Sequence, residues 1–277
     1  MATPSSLQHI PARPSAGSAL LPVQQRSYLR GFGNLLRKET WQWWGTRTWW
    51  IHALIWLGII NAFITLIALA ENGGPEFQGM PIHQLASAIF FQISLTTIGI
   101  GAVVMAQGAI IGEKQLGTAA WVLSKPVSRT AFVLAKLVGH TAGFVVLAIA
   151  LPALVFYGQS VLLWDHVPPL VPFLLADLLT LLNLLFFLAL TLMLGTLFGT
   201  RGPVAALALG FLLAGQPIRS IVPGLAQVTP WMLPDLASAL VLGQPVGANA
   251  YLPIAGTALG AIVFVGVALW RFGREEF

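Results

Sequence analysis

Residues 112–129 read GEKQLGTAAWVLSKPVSR, a polar island between two long apolar runs, and this island decides the fold. Glu113, Lys114 and Gln115 end the run before it, because a charge at the centre of a bilayer costs roughly 2.5–3.5 kcal/mol on insertion scales. The membrane is therefore expected to stop near Ile111. Gly117 permits a sharp turn, Thr118 is a suitable helix N-cap, and residues 119–123 have the propensity for one short helix. Pro126 forbids continuation of that helix and biases Lys125 towards an extended backbone. Ser128 is placed to cap the following helix, while Arg129 and Lys136 are expected to snorkel to the headgroups. The expected result is a short helix lying across one membrane face, slung between two spanning helices.

Composition agrees with a membrane setting. Of the 277 residues 57% are hydrophobic and 8% charged, against about 25% charged in ordinary soluble domains. The chain reads as one all-α integral membrane domain over residues 27–277. Zero cysteines exclude disulfides, thiol catalysis and thiolate metal sites. Residues 1–26, rich in Pro, Ser and Ala without an apolar core of signal-peptide type, are expected to form a disordered tail. Residues 27–48 follow as an amphipathic helix in the headgroup plane. Leu29, Phe32 and Leu36 share its apolar face, and Trp41, Trp43, Trp44, Trp49 and Trp50 crowd its end.

A span needs about 20 apolar residues. Six segments qualify, at about 49–70, 85–111, 130–157, 171–199, 203–221 and 251–270, the fifth weakened by Pro217 and Arg219. With six spans, thirteen of the fourteen Lys and Arg residues fall on one side, and Arg219 alone falls opposite. The positive-inside rule makes that side the cytoplasm, so both termini and the island are expected to be cytoplasmic and the chain a multi-pass protein of the cytoplasmic membrane. The net charge of +5 is thus a topology signal, and no nucleic-acid partner is needed to explain it. Residues 222–250 carry four prolines yet stay apolar, so they are expected to form short helices that dip into the outer leaflet or pack on the spans.

The run Glu113, Gly117–Thr118 and Leu123-Ser124-Lys125-Pro126-Val127-Ser128-Arg129, followed by Lys136, resembles the cytoplasmic loop of ABC transporter permeases of the type-two (ABC-2 type) exporter class. The six-span layout is similar to that family along most of the chain. The resemblance implies a coupling helix between spans two and three that docks on a separate ATPase subunit, and an N-terminal connecting helix beside span one. It also implies a complex of two permease chains, identical or different, with two ATPase subunits that hold ATP and Mg. The ATPase-coupling residues are then Glu113, Gly117, Thr118, Leu123, Ser124, Pro126, Val127, Ser128 and Arg129.

Other chemistry finds little support. No G-x-x-x-x-G-K-[ST] run exists, so the chain has no phosphate-cradling loop of its own and is not expected to be an enzyme or to bind a cofactor or metal itself. H-E-x-x-H is absent as well. Asp177, inside the fourth span, has two readings: a polar point on a substrate path or proton relay, or a structural carboxylate, either paired with Arg219 or at the helix start facing the outer headgroups and the positive end of the helix dipole. Two rival functions use the same features. A membrane enzyme or assembly factor would dock a partner other than an ATPase on the island, and a secondary carrier would work through Asp177.

Overall fold

The computed structural model describes residues 28–70, 76–77 and 79–275. The tail expected at residues 1–26 lies outside them. The described chain is almost entirely helical, apart from a two-residue antiparallel pairing of β1 (Glu76–Phe77) with β2 (Met80–Pro81).

Helix α1 (Phe32–Trp44) is amphipathic, but its buried face is Leu35, Glu39 and Trp43, at i, i+4 and i+8. Phe32 and Leu36, expected to lead the apolar face, are only half-buried. The cause lies in its neighbour α6 (Arg129–Phe144), where Gly139 and Gly143 open a groove. Glu39 lies over Gly139 and the Trp43 ring over Gly143, where any side chain would collide. Trp43 is thus a core residue instead of an interfacial one, while Trp41, Trp49 and Trp50 remain exposed.

Among the described residues five helices are long and apolar enough to cross a membrane. They are α2 (Thr48–Ala70); α3 (Ile82–Ala106), which continues through a turn into the short α4 (Ile111–Gln115); α6 joined to α7 (Leu151–Trp164); α8 (Leu170–Leu197); and α13 (Tyr251–Gly273). A π-helical stretch, Val145–Ala150, joins α6 to α7 directly before Pro152. Proline lacks the N–H that would complete the ladder there, and a wide turn absorbs the mismatch. The expected span at 203–221 is two helices, α9 (Arg201–Leu213) and α10 (Gly215–Ile221). Pro217 leaves the Leu213 carbonyl without its i+4 donor, which is the physical reason for the break.

Helix α8 is the centre of the bundle and buries a near-continuous run from Phe186 to Leu192. Helices α3, α6, α9 and α13 pack around it, with α2 outside α3 and α7. Gly101 of α3 receives the Trp56 ring of α2, and Gly99 receives Leu212 of α9. Phe90, Phe91, Phe156 and Phe173 stack where α3, α7 and α8 meet. Residues 222–250 hold α11 (Pro223–Ala226), a 3-10 turn (Pro230–Met232) and α12 (Leu233–Val241). Helix α12 buries Leu233, Leu236, Ala237 and Ser238 against α3 and α8, so this segment packs on the spans.

Candidate functional site

The island folds as α4, a turn, and α5 (Thr118–Leu123). Gly117 makes the turn with φ of +67°, a left-handed conformation that costs any residue bearing a Cβ about 1–2 kcal/mol. Thr118 is the first residue of the helix instead of its cap, and its hydroxyl donates to the Glu113 carbonyl at 3.2 Å. Ser128 does cap α6, accepting from the Ala131 amide at 3.0 Å.

Both ends of α5 are fastened to other elements. On the entry side, Glu113 Oε1 accepts from Lys136 of α6 at 2.6 Å and from Lys38 of α1 at 2.9 Å. Lys136 also reaches Glu39 of α1 at 3.0 Å. Lys38, Glu113, Lys136 and Glu39 thus alternate in sign along one chain of ion pairs that ties α1, α4 and α6 together. The expectation that Lys136 snorkels to the headgroups is overturned: its side chain is 3% exposed and that of Glu39 4%. Two carboxylates hold the ammonium inward, which outweighs the reach of its stem towards water. Lys114 pairs with Glu275, beyond α13, at 2.7 Å, and Gln115 donates to the Gly199 carbonyl between α8 and α9 at 3.1 Å. The Arg201 guanidinium rests against Gly108 and Gly112, where a Cβ would crowd it.

The exit side is clamped by backbone. The Ser128 amide donates to the Arg30 carbonyl at 3.0 Å, and Arg129 Nη1 donates to the Gly273 carbonyl at 2.7 Å. Val127 seats on Gly31, whose φ of +79° and lack of a side chain allow the contact. Ala119 and Val122 face inward with the half-buried Leu123, in a second core with Leu35, Phe132 and Phe272. Leu116, Trp121, Ser124, Lys125 and Pro126 face outward, with Lys125 Nζ 3.4 Å above the Trp121 ring.

Of the residues singled out in the sequence, Glu113 fastens the entry side of α5 and Ser128 and Arg129 its exit side, while Ser124 and Pro126 lie on the exposed surface. Sequence reasoning missed Lys38, Glu39, Leu116 and Trp121. An exposed tryptophan in a short loop helix was an available signal; the buried Glu39 was not, since it depends on which face of α1 meets α6.

At the opposite end, Asp177 and Arg219, candidate partners from the sequence, do not pair. Arg219 Nη1 pairs with Asp235 Oδ2 of α12 at 2.6 Å, and Gln92 of α3 donates to the other oxygen at 3.0 Å. Helix α12 folds back beside α10 and carries its acid to the arginine. Asp177, half-buried on α8, has no ion-pair partner among the described residues. Asn183, deeper on α8, donates to the Leu95 carbonyl at 2.8 Å and acts as a helix-to-helix tie. Among the described residues no group of three or more His, Asp or Glu is placed to hold a metal.

A bundle of long apolar helices, with a short helix at one end whose flanks are tied to α1, α6 and the end of α13, defines an integral membrane protein. Residues 47–230 match the model of the ABC-2 family transporter proteins, and the chain belongs to that family. It is a membrane permease component of an ABC transporter. Comparison with curated protein sequences gives no match.

Proposed function

We propose that the chain is the permease subunit of an ATP-driven exporter in the cytoplasmic membrane, and that the handle at residues 112–129 docks on a separate ATPase subunit. The observation that carries the reading is the double clamping of α5. A handle tied to α1, α6 and the end of α13 passes a push from its partner into the bundle, whereas an unbraced loop would absorb it. Leu116, Trp121, Lys125 and Pro126 form the docking face, and the Lys38–Glu113–Lys136–Glu39 chain transmits the movement. ATP and Mg belong to the partner, and two permease chains work together with the cargo passing between them. Helices α9 and α10 jointly make the fifth of six crossings, their 13 and 7 residues supplying about 20 and about 11 Å at 1.5 Å per residue. Six crossings put both termini and the handle on the cytoplasmic side with thirteen of the fourteen cations.

The test is co-purification of an ATPase subunit with the tagged chain from mildly solubilised membranes. Trp121→Ala, at a position 63% exposed, should lose the ATPase while leaving the fold intact. If no ATPase accompanies the wild type under any nucleotide condition, the reading fails.

A further inference from the structure

Two adjoining cavities lie on the far side of the bundle from the handle, and neither takes part in the reading above. One, of about 430 Å³, runs between α8, α12 and α13 and is walled by leucines, among them Leu175, Leu178, Leu182 and Leu240, with Ile254 opposite. The other, of about 280 Å³, is lined by polar Gln227, Asp235 and Asn249 as well as apolar groups. Leu236, Val246 and Ala250 line both, so the two form one largely apolar groove, with Gln227, Asp235 and Asn249 as the polar points at its mouth.

The only polar-tipped side chain lining the body is Tyr251, fewer than the two to four polar partners a water needs to settle in a cavity. An apolar cavity of roughly 150 Å³ already takes up benzene, so a body almost three times larger accepts a substantial hydrocarbon. Depth decides which hydrocarbon. Leu175 and Leu182 lie about 8 and 18 Å along α8 from its first residue, Leu170, at 1.5 Å per residue, within a hydrocarbon layer about 30 Å thick. The exposed Leu174, Leu175 and Leu178 beside the groove therefore meet lipid tails. At the mouth, Asp235 has given one lone pair on each oxygen to Arg219 and Gln92 and keeps others to accept from a donor. An ammonium headgroup donates to those lone pairs with opposite charge, an attraction that a headgroup whose only charge is a phosphate lacks.

We propose that this groove holds one bilayer phospholipid per chain, with an acyl chain along the α8 leucines and an amine-bearing headgroup at Gln227, Asp235 and Asn249. The site stands or falls independently of the ATPase. It is tested by reconstituting the chain in nanodiscs of mixed phosphatidylethanolamine and phosphatidylglycerol, extracting it gently and weighing the intact protein for retained lipid. The wild type should keep one phosphatidylethanolamine. Ala250→Trp plugs the junction, and Ile254→Trp fills the body from a position already 38% exposed, so it tests the site even if the first variant folds poorly. Each should reduce retention at least about tenfold, or about 1.4 kcal/mol. Unchanged retention in a folded plug variant, or equal retention of phosphatidylglycerol by the wild type, overturns the proposal.

Discussion

Replacing Lys136 with methionine keeps the length and volume of the side chain but removes the ammonium that Glu39 and Glu113 share. The contacts are 3.0 and 2.6 Å, and Glu39 is left 4% exposed with no other ion-pair partner among the described residues. Glu113 fares better, because Lys38 still reaches it at 2.9 Å. Breaking a buried pair from one side costs about 3–5 kcal/mol, because the charge left behind has lost water and gained nothing. At about 2–4 °C per kcal/mol for a domain of 150–250 residues, the melting temperature in mild detergent should fall by about 6–20 °C. The double variant Glu39→Leu with Lys136→Met removes the stranded charge as well. It should recover most of the loss, since an apolar replacement of a buried pair is often neutral. If the single variant melts within about 2 °C of wild type, or the double melts as low as the single, the pair does not stabilise the junction of α1 and α6 and the reasoning is refuted. The double variant also isolates function: a folded protein with uncoupled ATP use would assign the ion-pair chain to transmission.

Gly117→Pro imposes a φ near −65° where the backbone needs +67°, so it should detach α5 and uncouple ATP use from transport without blocking insertion; wild-type coupling would remove the handle assignment. Leu123→Asp should do the same by a different route, placing a charge in the core beneath α5, and its lower melting temperature should distinguish it from Trp121→Ala, which should melt like wild type. Gly256→Ala sets a methyl group against the Val228 carbonyl, and overpacking of about 1–3 kcal/mol should lower the melting point by about 2–12 °C. Asp235→Asn strands Arg219, whose Nε is already buried without a partner, and should cost about 1–3 kcal/mol, whereas Asp177→Asn should leave melting and transport unchanged. Transport lost in a stable Asp177→Asn variant would instead place Asp177 on the cargo path.

The membrane class, the approximate positions of the long helices and the interrupted helix at 112–129 were all legible in the chain, because each rests on local chemistry. An apolar run of 20 or more residues has no stable place in water, and a glycine followed nine residues later by a proline brackets a short helix whatever surrounds it. Partner choice was decided only by the tertiary structure. The sequence neighbours of Lys136 lie at the membrane border and point to a snorkelling residue, yet α1 docks on Gly139 and Gly143 and delivers Glu39 from 97 positions away. Similar depth makes Asp177 a candidate partner for Arg219, but α12 folds back to bring Asp235 within 2.6 Å. Depth in a membrane follows from counting residues along one helix. Which face of a helix meets which neighbour depends on rotation about its axis, and that is set by the fit of glycines and rings across a contact between segments distant in sequence.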